Sequence, residues 1–188
     1  NRDALGQLLA LTRHVTRTFL EWKPQFMHDL HEAATYLYTS TGTGPYNEAI
    51  DPITVDEWWV IAKTEVMELT KRGVPGVWTY GFYDGWTPNY LFSVAHAHNA
   101  TGRFYEVQSY GPDTTTIRPG ATTLSREWFR PNPPLPSIAW GPRNNAHIQQ
   151  SGLLVALGHV AQQRELYLEN YWLKNRRSGE KGRTGPTF

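Results

Sequence analysis

The sequence predicts an α/β domain in which helices pack on a β-sheet. Segments with the apolar spacing of helices alternate with short runs of β-branched and aromatic residues, in the order helix, strand, helix, strand, helix, strand, helix. The chain has 188 residues and is 39% hydrophobic, which is enough for one domain with its own core. We find no internal repeat.

Four segments have helical character. The first spans residues 3–22, where apolar residues recur at intervals of three and four, and it ends before Pro24. The second begins at Thr54, the first residue of the capping-box pattern "TVDE", and runs to Arg72, where Gly73 stops it. A short helix follows in "DGWTPNYLFSVAHAH", and a final helix is predicted over residues 143–177.

Three short runs are predicted to be strands, namely "QFMHDLH", "GVWTYGF" and "GRFYEVQSY". Two stretches lack periodicity. Residues 32–53 are predicted to be a long loop, and loops of that length in compact domains are usually functional or disordered. Residues 109–142 are rich in Pro, Thr and Gly and are predicted to be irregular.

Composition excludes several classes of site. The net charge of +1 favours neither nucleic acid nor an anionic membrane surface. The chain has no cysteine, so a metal site must use His and carboxylate ligands. No window is long and apolar enough for a membrane helix, and no signal peptide is visible. Only the C-terminal segment is basic, and its glycines predict a frayed, solvated end or a linker. Its basic residues are Lys174, Arg176, Arg177, Lys181 and Arg183.

His31 is the first candidate site residue. It stands at the end of a predicted strand, and alternation places it on the same face as Asp29 and opposite His28. Sites in open α/β sheets form beyond the carboxyl ends of strands. His31 could therefore bind a metal ion with Asp29 orienting its ring, although a single histidine at such a position is more often a hydrogen-bonded structural residue.

Glu106 is the second candidate, because an acid is unusual among the aromatic and β-branched residues of a strand. Two interpretations stay open. In the first, the strand lies at a sheet edge and Glu106 faces water. In the second, Glu106 is a general base whose pKa is tuned by its pocket.

The order of several motifs resembles the C-terminal half of the zinc carboxypeptidases, the M14-type metallopeptidases. The motifs are "NRD", an amphipathic helix, "DLHE", "FYDGWTPNYLFSVAHAHNATGRFYEVQ" and "NNAHIQQSGLLVAL". The similarity covers residues 1–165 and is closer to large bacterial members than to digestive enzymes. Residues 166–188 are then expected to be the helix end and a basic, flexible tail.

The resemblance implies a three-layer α-β-α fold with a mixed sheet, carboxypeptidase-like and of the phosphorylase/hydrolase-like type, of which this chain is the C-terminal half. It also favours an extracellular or periplasmic location. The implied cofactor is one zinc ion. His31 matches the third zinc ligand and Glu106 the catalytic base, and Asp29 and Glu32 would support His31 from behind.

The implied substrate contacts are made to a terminal carboxylate. Asn1 and Arg2 match the family's Asn-Arg pair, whose arginine makes a forked contact with that carboxylate. A tyrosine closes over the same group; Tyr83 fits its spacing best and Tyr80 is the reserve. The loop of residues 33–52 would form part of the cleft.

One departure from the family pattern is large. The first two zinc ligands, in an H-x-x-E motif, and the arginine that polarises the scissile carbonyl lie upstream of the Asn-Arg pair, and this chain has no residues before Asn1. The expected partners are therefore a peptide or small carboxylate-bearing substrate and the N-terminal half of the same domain. This chain alone is expected to be inactive.

Three functions stay open at this stage. The first is a metallocarboxypeptidase. The second is an amidase or deacylase that acts on a cell-wall peptide or an acylated amino acid. The third is a peptide-binding module whose zinc site has decayed. An upstream H-x-x-E would favour the enzymes.

His96 and His98 also suggest a metal, but they are two residues apart near a helix end and are expected to diverge.

Overall fold

The computed structural model describes residues 3–33, 36–109 and 113–185. Within these ranges the chain forms five helices: α1 (Ala10–Trp22), α2 (Pro52–Lys71), α3 (Leu91–Ala97), α4 (Pro142–Gln162) and α5 (Arg164–Thr184). It also forms six strands: β1 (Phe26–Glu32), β2 (Leu37–Thr39), β3 (Val77–Trp78), β4 (Thr101–Val107), β5 (Thr115–Ile117) and β6 (Ile138–Trp140).

Four strands make one mixed sheet in the order β1-β4-β2-β3. Strand β4 runs parallel to β1 and antiparallel to β2, and β3 runs parallel to β2. The register of β1 on β4 runs from Phe26 beside Thr101 to Glu32 beside Val107. Strands β5 and β6 form a separate antiparallel pair. The predicted α/β architecture with a mixed sheet is therefore confirmed.

Helices lie on both faces of this sheet. On one face, Gly102 of β4 comes so close to α3 that an added Cβ would meet the Phe92 carbonyl oxygen at 2.4 Å, so this contact requires glycine. On the other face, Arg103 and Tyr105 of β4 bond to Glu65 of α2. Alternation along β4 thus separates a face covered by α3 from a face covered by α2 and α4. Within the described ranges, no helix is long and apolar enough to cross a membrane.

The helix starts differ from the predictions. α1 begins at Ala10 rather than at residue 3, because the Asp3 carboxylate accepts the backbone N–H groups of Leu8 and Leu9 at 2.9 Å and folds that segment into turns. α2 begins at Pro52, and its cap is Asp51, whose Oδ1 accepts the N–H of Ile53 at 3.0 Å. The capping box predicted at Thr54 is therefore wrong by one turn.

Residues 32–53 are not only a loop, because they contain β2. Its three residues are fully buried and pair with the end of β4. The stretch 109–142, predicted to be irregular, contains β5 and β6. The predicted strand "GVWTYGF" is limited to β3, since Tyr80, Gly81 and Phe82 all have positive φ angles of 67–72° and leave the extended conformation.

The predicted final helix is two helices that meet at Gln163, and the second continues to Thr184. The basic segment is therefore helical rather than frayed as far as Thr184, and its basic residues are exposed as predicted except for Lys174. Lys174 is only 1% exposed, and its Nζ lies 2.7 Å from Oε2 of Glu57. The same Glu57 oxygen accepts the Thr101 hydroxyl at 2.6 Å, so α5, α2 and the start of β4 meet at one buried carboxylate.

A second buried ion pair lies two turns further along α2. Glu65 and Arg103 are both fully buried and bond through two parallel contacts of 2.5 and 2.6 Å. The Tyr105 hydroxyl donates to the same carboxylate. Each pair satisfies charges that would be costly to bury alone.

We predict that Lys174→Met lowers the free energy of unfolding by about 3–5 kcal/mol, because it leaves Glu57 buried without its cation. The double variant Glu57→Gln/Lys174→Met should recover most of that loss, since neither position is then charged. Urea unfolding of the three proteins measures both values. A Lys174→Met protein as stable as the wild type would contradict the buried pair.

Candidate functional site

The parallel pairing of β1 with β4 places His31 directly beside Glu106. Paired residues of adjacent strands project from the same face of a sheet, at about the 4.8 Å spacing of the strands. Both residues line a cavity of about 260 Å³ at the carboxyl end of the two strands. Four aromatic side chains, Phe82, Tyr83, Tyr90 and Phe104, also line the cavity, together with Glu32 and Ala33.

Asp29 binds the His31 ring from within the same strand face. The Asp29 Oδ2 to His31 Nε2 distance is 2.8 Å, and each side chain is about one-fifth exposed, at 20% and 19%. This hydrogen bond raises the pKa of His31 above its ordinary value; the charges of Asp29 and Glu106 act in the same direction, and burial opposes them.

Glu106 lies inside the sheet. Strand β4 is flanked by β1 and β2, and Glu106 is 9% exposed. The interpretation that it faces water from an edge strand is therefore wrong. Its neighbours across the strand pairs are His31 on β1 and Tyr38 on β2. A carboxylate held between two strands is fixed in position, which a general base requires.

Tyr83 lies in the cavity and Tyr80 does not line it. The Tyr83 ring contacts Tyr90, Phe92 and Phe104 edge-on, with ring centroids 4.8–5.4 Å apart. Burial raises the pKa of Tyr83 well above its usual range, so its hydroxyl stays protonated and can donate. Tyr80 packs instead among Trp59, Trp128 and Phe129.

The segment that carries Tyr83 has an uncommon backbone. The three residues before it have φ angles of +69°, +72° and +67°, and two of them, Tyr80 and Phe82, are bulky. Such residues are rarely found there, and each costs about 1–3 kcal/mol. The buried Tyr38 hydroxyl holds the segment, because it donates to the Gly81 carbonyl at 2.9 Å and accepts the Gly42 N–H at 2.9 Å.

Asn1 and Arg2, predicted to bind the substrate, lie outside the described residues. Glu32 does not support His31 as predicted. It projects from the opposite face of β1, and its Oε1 accepts a hydrogen bond from Nδ2 of Asn145 at 3.1 Å. Of the two carboxylates that were predicted to support His31, only Asp29 is therefore found at its ring.

Three other histidines, His28, His96 and His98, have structural contacts. His28 packs edge-on against Tyr105, and burial, with the charge of Arg103, lowers the pKa of His28 to about 3. His96 is buried, and its Nε2 lies 2.9 Å from the Gly102 carbonyl oxygen. His98 Nδ1 lies 2.7 Å from the Val94 carbonyl oxygen. His96 and His98 thus contact different parts of the backbone around α3.

The donor set fits one position of a zinc site. Among the described residues there is no group of three or more His, Asp or Glu side chains placed to hold a metal ion. A catalytic zinc normally has three protein ligands and a water. His31, oriented by Asp29, can supply one imidazole, and Glu106 stands beside it where a base would act on a bound water.

Comparison of the chain with protein-family models, with curated proteins and with solved structures gives no match. The fold and the geometry of the cavity are therefore the observations that bear on function. Sequence reasoning identified His31, Asp29, Glu106 and Tyr83. It missed that Phe82 and Tyr90 line the cavity. The turn before Tyr83 depends on positive φ angles, which the bulky residue types found there do not predict.

We predict that Asp29→Asn lowers the pKa of His31, because the carboxylate that stabilises its protonated ring is removed. Glu32→Gln is the matched control: it removes a charge one residue from His31 on the other face and should leave that pKa nearly unchanged. Histidine side-chain NMR titration of the metal-free protein measures both. Equal shifts in the two variants would show that the 2.8 Å contact does not set the pKa of His31.

Proposed function

We propose that this cavity is part of the active site of a zinc metallocarboxypeptidase that hydrolyses the C-terminal peptide bond of peptides. The observation that carries the proposal is the position of Glu106 beside an imidazole that is itself oriented by a carboxylate, on one face of one parallel strand pair. A metal ligand and a general base have to be held at a fixed separation, and two adjacent strands provide that.

In the proposed mechanism, His31 would be one of the residues that hold the zinc ion, and Asp29 would fix the orientation of its ring. When bound, the metal supplies Lewis acidity that polarises the scissile carbonyl and lowers the pKa of a bound water. Glu106 takes a proton from the attacking water and then gives it to the leaving amine. The four aromatic side chains of the cavity would reduce the contact of these charges with water when a substrate is bound, which would strengthen their interactions.

The proposed substrate ends in a free carboxylate. The Tyr83 hydroxyl stays protonated, so it can donate a hydrogen bond to that group. From the resemblance, Arg2 would bind the carboxylate through two parallel N–H···O contacts and Asn1 would add a third donor. A grip on the terminal carboxylate would place the last peptide bond next to Glu106 and so explain exopeptidase action.

The other zinc ligands are proposed to come from an H-x-x-E motif in a segment that precedes Asn1, and that segment is proposed to complete the sheet. Two observations support this. Among the described residues β1 pairs only with β4, and its Leu30 is half exposed. Apolar side chains of the helices on that face of the sheet are also exposed, namely Leu154, Leu157, Leu166, Leu168 and Trp172.

We predict that Glu106→Gln in the intact protein lowers kcat for a peptide substrate by a factor of at least about 100, since it removes the proton acceptor. Zinc content, measured by metal analysis, should stay unchanged, because Glu106 is a base and not a ligand. Glu165→Gln, on the exposed surface of α5 and outside the cavity, should keep full activity. Retained activity in Glu106→Gln rejects the proposed base. An intact protein that binds peptide but no zinc would instead support a binding module.

We predict that Tyr83→Phe lowers kcat/KM by about tenfold for a peptide with a free C-terminus, the effect of losing one hydrogen bond to a charged group. The loss should be much smaller for the C-terminally amidated peptide. Tyr80→Phe, three residues away and outside the cavity, is the control and should act like the wild type. An equal loss for both peptides would mean that Tyr83 does not bind the carboxylate.

A further inference from the structure

The strands that carry His31 and Glu106 both end against the first turns of α4. Asn145, the fourth residue of that helix, is only 3% exposed. Its Nδ2 donates to Oε1 of Glu32, the last residue of β1, at 3.1 Å. The same nitrogen donates to the backbone carbonyl of Gln108, the first residue after β4, at 2.8 Å. One amide group therefore bonds to the ends of both strands.

The orientation of this amide is determined by a third contact. The Trp140 indole Nε1, which can only donate, lies 2.6 Å from Oδ1 of Asn145. The amide oxygen must therefore face Trp140, and the NH₂ group must face the two acceptors at the strand ends. Both amide hydrogens and the oxygen are used, so a buried polar side chain is fully satisfied by partners from three segments.

A second amide on the same side of α4 makes a related contact. Gln149, one turn after Asn145, donates its Nε2 to the backbone carbonyl of His31 at 3.1 Å. The β1–β4 ladder ends nearby, since its paired residues stop at Glu32 and Val107. The two amides of α4 thus bond to the last residues of β1 and to the residue that follows β4, next to the end of the β1–β4 ladder.

We infer that Asn145 is a positioning residue that clamps the ends of β1 and β4 and so fixes the separation between His31 and Glu106. This inference rests on the proposed function for its catalytic meaning. His31 lies one residue before Glu32, and Glu106 lies two residues before Gln108. A shift of about 1 Å between a base and the atom on which it acts can lower the rate by about 100-fold. Movement of these strand ends would therefore lower kcat.

Asn145→Asp in the intact protein tests the clamp with little change in volume. The aspartate can still accept from Trp140, but it cannot donate to Gln108 or Glu32, and it adds a negative charge beside Glu32. We expect kcat to fall by about 10- to 100-fold, with KM nearly unchanged. In the metal-free protein, the imidazole ¹⁵N chemical shifts of His31 should change, because the end of its strand is released.

Asn144→Ala is the matched control. Asn144 is the neighbouring residue on α4, and its Oδ1 accepts the N–H of Gly141 at 3.0 Å, which caps the helix. Its loss should lower the melting temperature but leave kcat and the His31 resonances as in the wild type. The double variant Glu32→Gln/Asn145→Asp should partly restore kcat, because the new glutamine amide can donate to the new carboxylate.

Wild-type kcat and unmoved His31 resonances in Asn145→Asp overturn the inference. So does a loss of kcat that Asn144→Ala reproduces at a matched melting temperature. If Asn145→Asp does not fold, Gln149→Ala must shift the His31 resonances in the metal-free protein, and unmoved resonances again overturn the clamp. The proposed function fails separately, by retained activity in Glu106→Gln, while the metal-free spectra still report whether Asn145 holds the strand ends.

Discussion

The parallel pairing of β1 with β4 is the interaction on which the rest of the site depends. A shift of that register by one residue would send either His31 or Glu106 to the opposite face of the sheet. The cavity would then lose one of the two groups, although every helix and strand could remain. The proposed chemistry needs that pair first, and the aromatic side chains of the cavity, Asp29 and Tyr83 contribute only by surrounding it.

The register is held from the other face of the sheet. Arg103 and Glu106 lie on opposite faces of β4, and Arg103 is buried against Glu65 of α2. Loss of the carboxylate partner of a buried guanidinium strongly destabilises a fold. Any register that turns Arg103 toward the cavity is therefore disfavoured by several kcal/mol. Glu57 and Lys174 add a second buried pair at the start of the same strand. Ion pairs that take no part in the proposed chemistry therefore determine the face from which His31 and Glu106 project.

The parts of the site that could be predicted from sequence are those with local signals. Alternation within seven residues placed Asp29 and His31 on one face and His28 on the other, and the aromatic context singled out Glu106. The parts that were missed depend on distant partners. Strand β2 has three residues, and its pairing with β4 joins segments more than sixty positions apart. Lys174 was taken for a solvated residue because its partner, Glu57, lies 117 positions away. In the sequence, Asn145 is an ordinary polar residue of a helix. Its contacts with Trp140 and with both strand ends appear only in the folded structure.

The geometry also constrains how a metal could enter this site. One oriented imidazole binds zinc weakly, because a catalytic zinc is normally held by three protein ligands. In the described part of the chain β1 pairs only with β4, and we propose that the remaining ligands approach from the other side of β1. On the proposed function, the segment that completes the sheet would therefore be the one that completes the metal site, and zinc binding would be thermodynamically coupled to that docking. The described residues would then supply a preformed base and one preformed ligand, held by buried ion pairs and a satisfied amide whether or not the metal is bound.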